Sequence, residues 1–435
     1  MRILVCGANG FIGRHLVQTL SAAGHQVTSG VRVINKSSEV AIDYMRDLDP
    51  QDWLPRLRQV DVVINAVGIL TEGEGASFDA VHRDAPKALF AAAAIAGVRV
   101  IQISALGGAE EGRDFSRLTP YMRSKREADA ALMSWSGKWL VLRPSLLVGV
   151  DGASSRLFRS LSSLPAMGLP GKGEQLLQPV HIDDLCDAVL RWLADDGDSA
   201  VINAVGPAAL SYRAMLETYR QLMDLPPARY FSIPMPLMRV GAYLAGLLPQ
   251  KVLSPDTLRM LQENNVADAG NFSALLKRSP RASDTWFEVA AAQSLRTQAM
   301  ANWNNAVLRC ALAALWLATG VLSLGVYPVS SSLELLAALG LHGSTAIGVL
   351  YGAAVFDIAM GLACLLFPRR TLWLLQIMVV LGYTALVSVY LPQFWLHPFG
   401  PILKNIPILA ILVVLYGSEQ KPSRQLRAST VRLAS

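Results

Sequence analysis

The amino-acid sequence predicts two structural classes in one chain: an α/β domain with a parallel sheet, then an all-α bundle of four transmembrane helices. Two observations lead to this prediction. Apolar strand patterns alternate with helical patterns over residues 1–290, which is typical of a parallel sheet covered by helices on both faces. After residue 300, charged side chains become rare and long apolar runs follow one another.

The predicted strands are short apolar segments bounded by glycine, proline or polar residues. They are residues 2–6, 26–31, 39–43, 60–66, 98–104, 139–142 and 200–205. The predicted helices repeat apolar residues at helical spacing. They are residues 12–23, 51–58, 77–96, 120–135, the later part of 179–196, and 211–223. Residues 150–178 are rich in Ser, Gly and Pro, and we expect a small, loop-rich region there on the substrate side.

Residues 233–249 (IPMPLMRVGAYLAGLLP) form an apolar stretch that is too short to span a bilayer. Two interpretations remain open for it. It is either a buried helix or a segment that lies on a membrane surface.

Four later runs match, or nearly match, the length of about 20 residues that a spanning helix needs. They are residues 306–327, 345–367, 372–391 and 402–417, of which the last is slightly short. A soluble bundle of buried helices is the alternative, but its helices would each keep a polar face.

The loop charges predict the orientation of these spans. The connections 328–343 and 392–400 contain no Lys or Arg, whereas Arg369, Arg370 and the tail are basic. The positive-inside rule then places both the tail and the N-terminal domain on the cytoplasmic side of the inner membrane. The predicted organisation is a cofactor domain over 1–290, a linker over 291–304, a transmembrane domain over 305–418 and a basic tail over 419–435.

The charge balance argues against a nucleic-acid partner. The net charge is +6, of which five units lie beyond residue 300, and the first 300 residues carry 31 basic and 30 acidic side chains. No basic stripe with interleaved aromatic residues is present in the sequence. The four cysteines, at positions 6, 186, 310 and 364, have no paired spacing, so we expect buried thiols, no disulfide and no metal site.

The most specific local motif is a glycine turn directly after the first strand. Gly7, Gly10 and Gly13 follow Ile3-Leu4-Val5 and precede a helical run that stops at Gly24. Such a strand, turn and helix start form a dinucleotide cradle, in which the free N–H groups of the helix bind the pyrophosphate.

Tyr121 and Lys125 form a second pattern with chemical meaning. Four residues apart, they lie on one face of a predicted helix. A nearby ammonium and a cationic cofactor ring favour the phenolate, so we expect the pKa of Tyr121 to lie below its usual range. Tyr121 would then exchange a proton with a substrate hydroxyl.

Six segments follow one another in a characteristic order: GANGFIG (7–13), INAVG (64–68), VIQISALG (100–107), YMRSKREAD (121–129), LRPSLLVG (142–149) and QPVHIDDL (178–185). Together they resemble the short-chain dehydrogenase/reductase superfamily, in its extended and atypical branches, where these motifs occur in the same order. The sub-branch is similar to the 39 kDa subunit group of respiratory complex I. The resemblance implies a Rossmann-type fold and a nicotinamide cofactor.

The resemblance also implies roles for particular residues. The pyrophosphate turn would include Asn9, Phe11 and Ile12. Asp43 would lie by the adenine, and Ala66 and Gly68 would lie along the adenosine ribose. On the nicotinamide side, the implied contacts are Lys125 with the ribose hydroxyls and Pro144 and Ser145 with the amide.

The end of the second strand predicts which cofactor is preferred. Where relatives that prefer NAD have an acid that binds the ribose, this chain has Val31, followed by Arg32. Arg32 would pair with a 2′-phosphate, which favours NADP(H) over NAD(H). The alternative is that Arg32 is a solvated charge at the end of a strand.

One departure from the family bears on catalysis. Leu106 aligns with the usual catalytic serine, and Ser104 lies slightly early, so Ser104 either substitutes or the hydrogen bond is missing. We interpret His82 and His181 as structural.

The segment HPFGPILKNIPIL (397–409), with the four apolar runs, resembles the DoxX-like membrane family. Asp357 lies in the middle of a span and is expected to pair with another helix or to serve transport, quinone or proton chemistry. Lys404 lies near a helix end, where it can snorkel, and Pro407 is expected to kink the last helix.

Two functional hypotheses follow. The first is a membrane-tethered NADP(H)-dependent oxidoreductase that acts on a hydroxyl or carbonyl substrate, with lipophilic molecules from the bilayer as candidates. The second is a nucleotide-binding scaffold or assembly factor of a respiratory-type membrane complex, with other membrane proteins as partners.

Overall fold

The computed structural model describes residues 1–73, 75–107, 118–246, 258–259, 261, 264–398 and 400–419. The chain divides into two compact units, Met1–Ala299 and the residues from Met300 onward. The predicted basic tail lies outside the described residues, apart from Glu419.

Within the described residues of the first unit, seven strands form one parallel sheet: β1 (Arg2–Cys6), β2 (Gln26–Val31), β3 (Glu39–Ala41), β4 (Val62–Asn65), β5 (Arg99–Ile103), β6 (Trp139–Pro144) and β11 (Ala200–Ala204). Their order in the sheet is β11-β6-β5-β4-β1-β2-β3. The interior strand β1 is buried from Ile3 to Cys6, as its continuous apolar run requires. The predicted parallel sheet is confirmed.

Helices cover both faces of this sheet. They are α1 (Phe11–Ala22), α2 (Pro50–Leu57), α3 (Ala85–Ala96), α4 (Pro120–Met133) and α6 (Ile182–Ala194). Leu16 and Leu20 of α1 pack with Leu185 of α6 in one core, whereas Trp53 of α2 packs with Leu89 of α3 in the other. The expectation of a doubly covered sheet is confirmed.

The predicted helix over 77–96 is more complex than its sequence pattern suggests. Asp79–Asp84 form a π-helix, which continues into α3 at Ala85. Pro86 has no N–H to donate to the carbonyl of residue 82, so regular α-helical bonding is interrupted where the wide turn ends.

The substrate-side region is more regular than expected. Residues 150–178 were predicted to be loop-rich, yet they contain α5 (Ala153–Ser162) and β8 (Ala166–Pro170). The other elements of this region are β7 (Leu147–Val148), β9 (Leu176–Leu177), β10 (Val180–His181), β12 (Leu210–Ser211), α7 (Tyr212–Leu222), β13 (Arg229–Ile233), α8 (Met235–Gly246) and α9 (Gly270–Leu276). A third core, which includes Met167, Met215, Tyr219 and Trp286, fills this region.

The second unit is helical. Its elements are the part of α10 (Ala292–Val321) from Met300 onward, which continues as a π-helix over Leu322–Val326, and the helices α11 (Val329–Ala337), α12 (Gly343–Leu366), α13 (Arg370–Tyr390) and α14 (Asn405–Ser418). Within the described residues, three helical segments are long and apolar enough to cross a membrane: Val289–Val326, Gly343–Leu366 and Arg370–Tyr390. The predicted linker 291–304 is therefore mostly helical.

The last helix, α14, has 14 residues. At about 1.5 Å per residue this is about 21 Å, less than the ~30 Å of a bilayer core. Pro407 lies in its first turn, where N–H groups have no intrahelical partner, so the proline is accommodated at the helix start. The predicted kink at Pro407 is wrong.

Small residues and one buried amide hold this unit together. A Cβ at Gly361 would lie 2.7 Å from Leu317 Cγ, so the backbones of α12 and α10 approach closely. The Trp316 indole donates to Gln376 Oε1 at 3.1 Å, and Gln376 Nε2 donates to Cys364 Sγ at 3.1 Å.

Cys310 is exposed, so the expectation that all four thiols are buried is wrong at this position.

Candidate functional site

The sheet order creates a crevice between β1 and β4. From β1 the chain runs outward to β2 and β3, and then returns to the opposite side of β1 with β4. Ligands bind at such a switch point, outside the carboxyl ends of the strands. Gly7, Ala66, Ser104 and Ser145 each directly follow one of the four neighbouring strands at this edge.

The glycine turn is shaped for a phosphate. Gly7 has a φ of +80°, and a Cβ at Gly13 would lie only 2.1 Å from the Gly7 carbonyl oxygen. Gly10 is the N-cap of α1 and offers no side-chain cap to the first helical N–H groups. These open donors and the helix dipole fit a pyrophosphate, as the sequence predicts.

A cleft of about 310 Å³ extends from this turn along the ends of β1 and β2. Its lining residues are Gly7, Asn9, Gly10, Gly30, Val31, Arg32, Val33, Asn35, Ile42, Tyr44 and Val67. The cleft thus brings together four of the predicted cofactor residues: Gly7, Asn9, Gly10 and Arg32. Arg32 is the cation among these lining residues, and none of them is a carboxylate.

Other predicted cofactor residues lie around this cleft. Asp43 is not among the lining residues, and its carboxylate accepts the Met45 N–H at 3.0 Å. Phe11 packs against Gly149, where a Cβ would lie 2.7 Å from the ring, and Ile12 packs against the core of the sheet. The Ala66 carbonyl oxygen would lie 3.0 Å from a Cβ at Gly7.

Sequence reasoning missed Asn35 and Tyr44 in this cleft. The Tyr44 hydroxyl donates to Asn65 Oδ1 at 2.8 Å, which fixes the ring at the cleft wall. Asn65 ends β4 within the INAVG segment, so its polar side chain inside an apolar strand was an available signal.

Tyr121 and Lys125 lie in the first two turns of α4, which begins after the capping hydroxyl of Thr119. The Lys125 ammonium donates to the Ile103 carbonyl at 3.2 Å. A Cβ at Gly68 would lie 3.5 Å from Lys125 Nζ, while the preceding residue, Val67, lines the cleft. The Val67–Gly68 loop therefore contacts both the cleft and the Tyr121–Lys125 helix.

Burial sets the proton affinities of this pair. Desolvation lowers the pKa of Lys125 to about 8, although Asp129 opposes the shift. Desolvation raises the pKa of Tyr121 to about 12, and Arg126 is the cation that opposes it. The expectation that Lys125 lowers the pKa of Tyr121 is wrong for the protein by itself, because burial of the phenol outweighs the nearby charge.

His82 joins the same cluster from the π-helix. The Ile69 N–H donates to its Nε2 at 3.0 Å, so Nδ1 carries the proton and faces the Ser124 hydroxyl at 3.3 Å. Its ring lies 5.2 Å from that of Tyr121 and stacks on Phe78. Burial, with Lys125 nearby, lowers the pKa of His82 to about 2, so the imidazole is neutral.

Ser104 is held by a buried carboxylate behind the site. Its hydroxyl donates to Asp129 Oδ2 at 2.9 Å, and the same oxygen accepts from Arg126 at 3.2 Å and Arg143 at 3.0 Å. Arg126 also donates to the carbonyls of Ala105 and Gly107. This network fixes the loop after β5 against α4.

The segment after β6 is fixed in a similar way. The Ser145 hydroxyl donates to the Gln178 carbonyl, and the Leu106 N–H donates to the Pro144 carbonyl at 2.7 Å.

His181 caps α6, because its Nδ1 accepts the Asp183 N–H at 3.2 Å.

Comparisons with known proteins agree with this geometry. The model of the NAD dependent epimerase/dehydratase family matches residues 3–204, and that of the DoxX-like family matches residues 313–413. The chain carries an epimerase-family domain of the short-chain dehydrogenase/reductase type. A DoxX-like domain follows it.

Curated relatives match the epimerase-family part of the chain. Identity is 29% over 284 residues to subunit 9 of the NADH dehydrogenase (ubiquinone) 1 alpha subcomplex of Arabidopsis thaliana mitochondria, covering 60% of this chain and 68% of that protein. The identity to epimerase family protein SDR39U1 of Homo sapiens is 27% over 279 residues, which cover 59% of this chain and 93% of that protein. It is 28% over 189 residues to ceramide reductase of Caulobacter vibrioides, covering 42% and 57%, so the chain spans little more than half of that reductase.

Solved structures confirm the epimerase-type fold. MoeE5 in complex with UDP-glucuronic acid and NAD matches with a TM-score of 0.51 and 22% identity, over 68% of this chain and 99% of that one. UDP-glucuronic acid 4-epimerase from Bacillus cereus, in complex with UDP-glucuronic acid and NAD, matches with a TM-score of 0.50 and 20% identity over the same shares.

The DoxX-like domain contains the remaining predicted polar residues. Asp357 lies in α12 beside the Thr319 hydroxyl of α10, which itself donates to the carbonyls of its own helix. Lys404 directly precedes α14, with an exposed side chain.

Proposed function

We propose that this protein is a membrane-bound oxidoreductase that uses NADP(H) to interconvert a hydroxyl and a carbonyl group on a small, lipophilic substrate. The position of the Val67–Gly68 loop between the cleft and the Tyr121–Lys125 helix is the main support for this proposal. Val67 lines the cofactor cleft, and Gly68 lies against Lys125 and His82. A nucleotide in the cleft would therefore extend directly toward Tyr121.

The nicotinamide cofactor, when bound, supplies or accepts the hydride. The residues of the chain bind the cofactor and transfer the proton. Gly7, Gly10 and Gly13 hold the pyrophosphate, Lys125 binds the ribose hydroxyls, and Pro144 and Ser145 lie at the amide. Tyr121 holds the proton that the substrate oxygen gains or loses, and its high pKa keeps it a donor until a cationic group approaches.

Arg32 supports the preference for NADP(H). It lines the cleft together with Asn35, and the family resemblance aligns Val31 with the ribose-binding acid of relatives that prefer NAD. A charge-assisted bond to a 2′-phosphate is worth about 1.5–3 kcal/mol, or about ten- to hundredfold in affinity. Calorimetry on the full chain should show tighter binding of NADPH than of NADH.

Arg32→Ala should abolish this preference, whereas the matched variant Arg58→Ala should keep it, because Arg58 is exposed at the end of α2. Equal affinity for both cofactors in the unmodified protein would contradict the NADP(H) assignment.

Tyr121 is tested by turnover. NADPH oxidation with a bacterial lipid extract should fall by about 10²–10⁴-fold in Tyr121→Phe. Tyr212→Phe is the matched control, since burial alone raises the pKa of Tyr212 to about 12 as well. Surviving turnover in Tyr121→Phe would remove Tyr121 from the mechanism.

The DoxX-like domain supports delivery of the substrate by the bilayer. We propose a four-span topology with the epimerase-family domain and the tail in the cytoplasm, and domain boundaries at 1–290, 305–418 and 419–435. In a Cys310→Ser background, single cysteines at Ser331 and Gln393 should react with an impermeant reagent in intact cells, and one at Ser429 should not. Labelling at Ser429 would contradict four spans.

A scaffold role is the second candidate. The likeness to a complex I subunit over 60% of the chain favours it, as does the commitment of the Ser104 hydroxyl to Asp129. A scaffold would keep its effect on the assembly of a respiratory complex in Tyr121→Phe, and lipid-dependent NADPH oxidation would be absent from the unmodified protein.

A further inference from the structure

The segment of β13 and α8 in the first unit exposes three large apolar side chains. They are Phe231 in β13 and Leu237 and Val240 in α8, whose exposed fractions are 53%, 62% and 56%. Leu237 and Val240 are three residues apart on one side of α8, and Gly241, the next residue on that side, is exposed as well. We call the side chains of Phe231, Leu237 and Val240 the β13–α8 surface.

The sequence segment that contains these side chains carries charges of a single sign. Between residues 225 and 255 the sequence contains Arg229, Arg239 and Lys251 and no Asp or Glu. Arg229 and Arg239 are both exposed, one at the start of β13 and the other within α8. Exposed apolar side chains flanked by cations are the pattern by which helices bind the interface of an anionic bilayer.

The chain itself brings such a bilayer close. The apolar helical segment Val289–Val326 begins fewer than 50 residues after α8 and is long enough to span a membrane. A tethered surface meets its target at a high effective concentration, so modest apolar area and a few charges suffice for binding. A soluble partner protein would have no such advantage.

We propose that the β13–α8 surface lies in the headgroup region of the membrane, with Leu237, Val240 and Phe231 toward the acyl chains and Arg239 on anionic phosphates. This rests on the proposed membrane anchoring. The proposal also deepens the proposed function. Strand β13 pairs with β8, which belongs to the substrate-side region, so the membrane contact would lie beside the region where the substrate is expected. Phe231 and Ile233 pack over Gly168, next to the buried Met167 and Leu169.

The test uses the full chain in single-copy nanodiscs of phosphatidylcholine and phosphatidylglycerol. In a Cys310→Ser background, an environment-sensitive fluorophore is attached at Leu237→Cys, Val240→Cys or Ile95→Cys. Ile95 is the control, since it is 67% exposed on α3. Quenching by nitroxide-labelled lipid should be about threefold or more stronger at 237 and 240 than at 95, and quenching by aqueous iodide correspondingly weaker.

Charge dependence identifies the lipid contact. Arg239→Glu, or discs of phosphatidylcholine alone, should reduce lipid quenching at 237, whereas Arg58→Glu should leave it unchanged. Equal iodide quenching at 237, 240 and 95 would overturn the proposal. Protection from iodide without lipid quenching would also overturn it, in favour of a protein partner. Release of the chain by alkaline carbonate would instead refute the membrane spans themselves, which separates the two failures.

Discussion

The two sides of the Val67–Gly68 loop are built in opposite ways. The cofactor side is open, and its shape comes from side chains that are missing, at Gly7, Gly10 and Gly13. The side proposed for proton transfer, called the proton-transfer side below, is buried, and its shape comes from hydrogen bonds between segments far apart in the sequence, centred on Asp129 and His82. The first side should therefore be sensitive to added atoms, and the second to lost hydrogen bonds.

Asp129→Ala should cause the largest loss. It leaves Arg126 and Arg143 buried without their shared carboxylate, and breaking such a network costs about 3–5 kcal/mol of folding free energy. Thermal unfolding of the purified full chain measures this. Asp129→Asn keeps a hydrogen-bond acceptor and should lose less. A loss below about 1 kcal/mol in Asp129→Ala would show that the network is not critical.

Gly13→Ala tests the open side. Its Cβ would lie 2.1 Å from the Gly7 carbonyl oxygen, a backbone atom that must move. Such overpacking costs about 1–3 kcal/mol, and we expect it mainly as about ten- to hundredfold weaker cofactor binding, because the strain is located in the pyrophosphate turn. Gly73→Ala is the control, since a Cβ there meets nothing within 4 Å. Unchanged calorimetric affinity in Gly13→Ala would argue against this turn as the phosphate site.

Lys125 links the two sides through pH. With a pKa of about 8, its ammonium loses its proton above that pH and can then no longer make the charged contact that we propose with the ribose. Cofactor affinity should fall by about tenfold per pH unit between pH 8 and pH 9.5, which is about 1.4 kcal/mol per unit. Lys125→Arg should remove the slope because arginine stays charged. A flat profile in the unmodified protein would refute this contact.

His82 should produce the smallest effect. Its pKa is lowered from 6.5 in the unfolded chain to about 2 in the folded protein, so the unfolded state binds more protons below pH 6.5. Stability from the neutral imidazole is complete only above about pH 7.5 and declines as the pH falls through 6.5, by about 0.8 kcal/mol at pH 6. Melting temperatures of the unmodified protein and His82→Gln should differ less at pH 6 than at pH 7.5. A constant difference would indicate a normal pKa.

The sequence predicted that Gly7, Asn9, Gly10 and Arg32 come together, and the structure places all four in one cleft, because their signals are local. Gly7 to Gly13 and Val31 to Arg32 each lie within a few residues, and strand, turn and helix start can be identified from them directly. Tyr44 was missed because its role depends on Asn65 in a distant strand.

The proton-transfer side was only partly predictable. Tyr121 and Lys125 follow a spacing rule, but the raised pKa of Tyr121 depends on how much protein covers it, which no spacing reveals. Ser104 pairs with Asp129 across 25 residues, and His82 reaches Ser124 across 42. Likewise, Pro407 was expected to kink a helix only because the true start of α14, at Asn405, was not visible in its apolar pattern.

The π-helix at Asp79–Asp84 has a consequence for the ancestry of this site. A wide turn holds one more residue than an α-helical turn, so a relative with a regular helix at this position would align with a one-residue gap there. Residues before and after that gap would keep their partners, but the ring of residue 82 would rotate away from Tyr121. Among related chains, the gap should therefore separate those that keep a histidine at this position from those that have lost it.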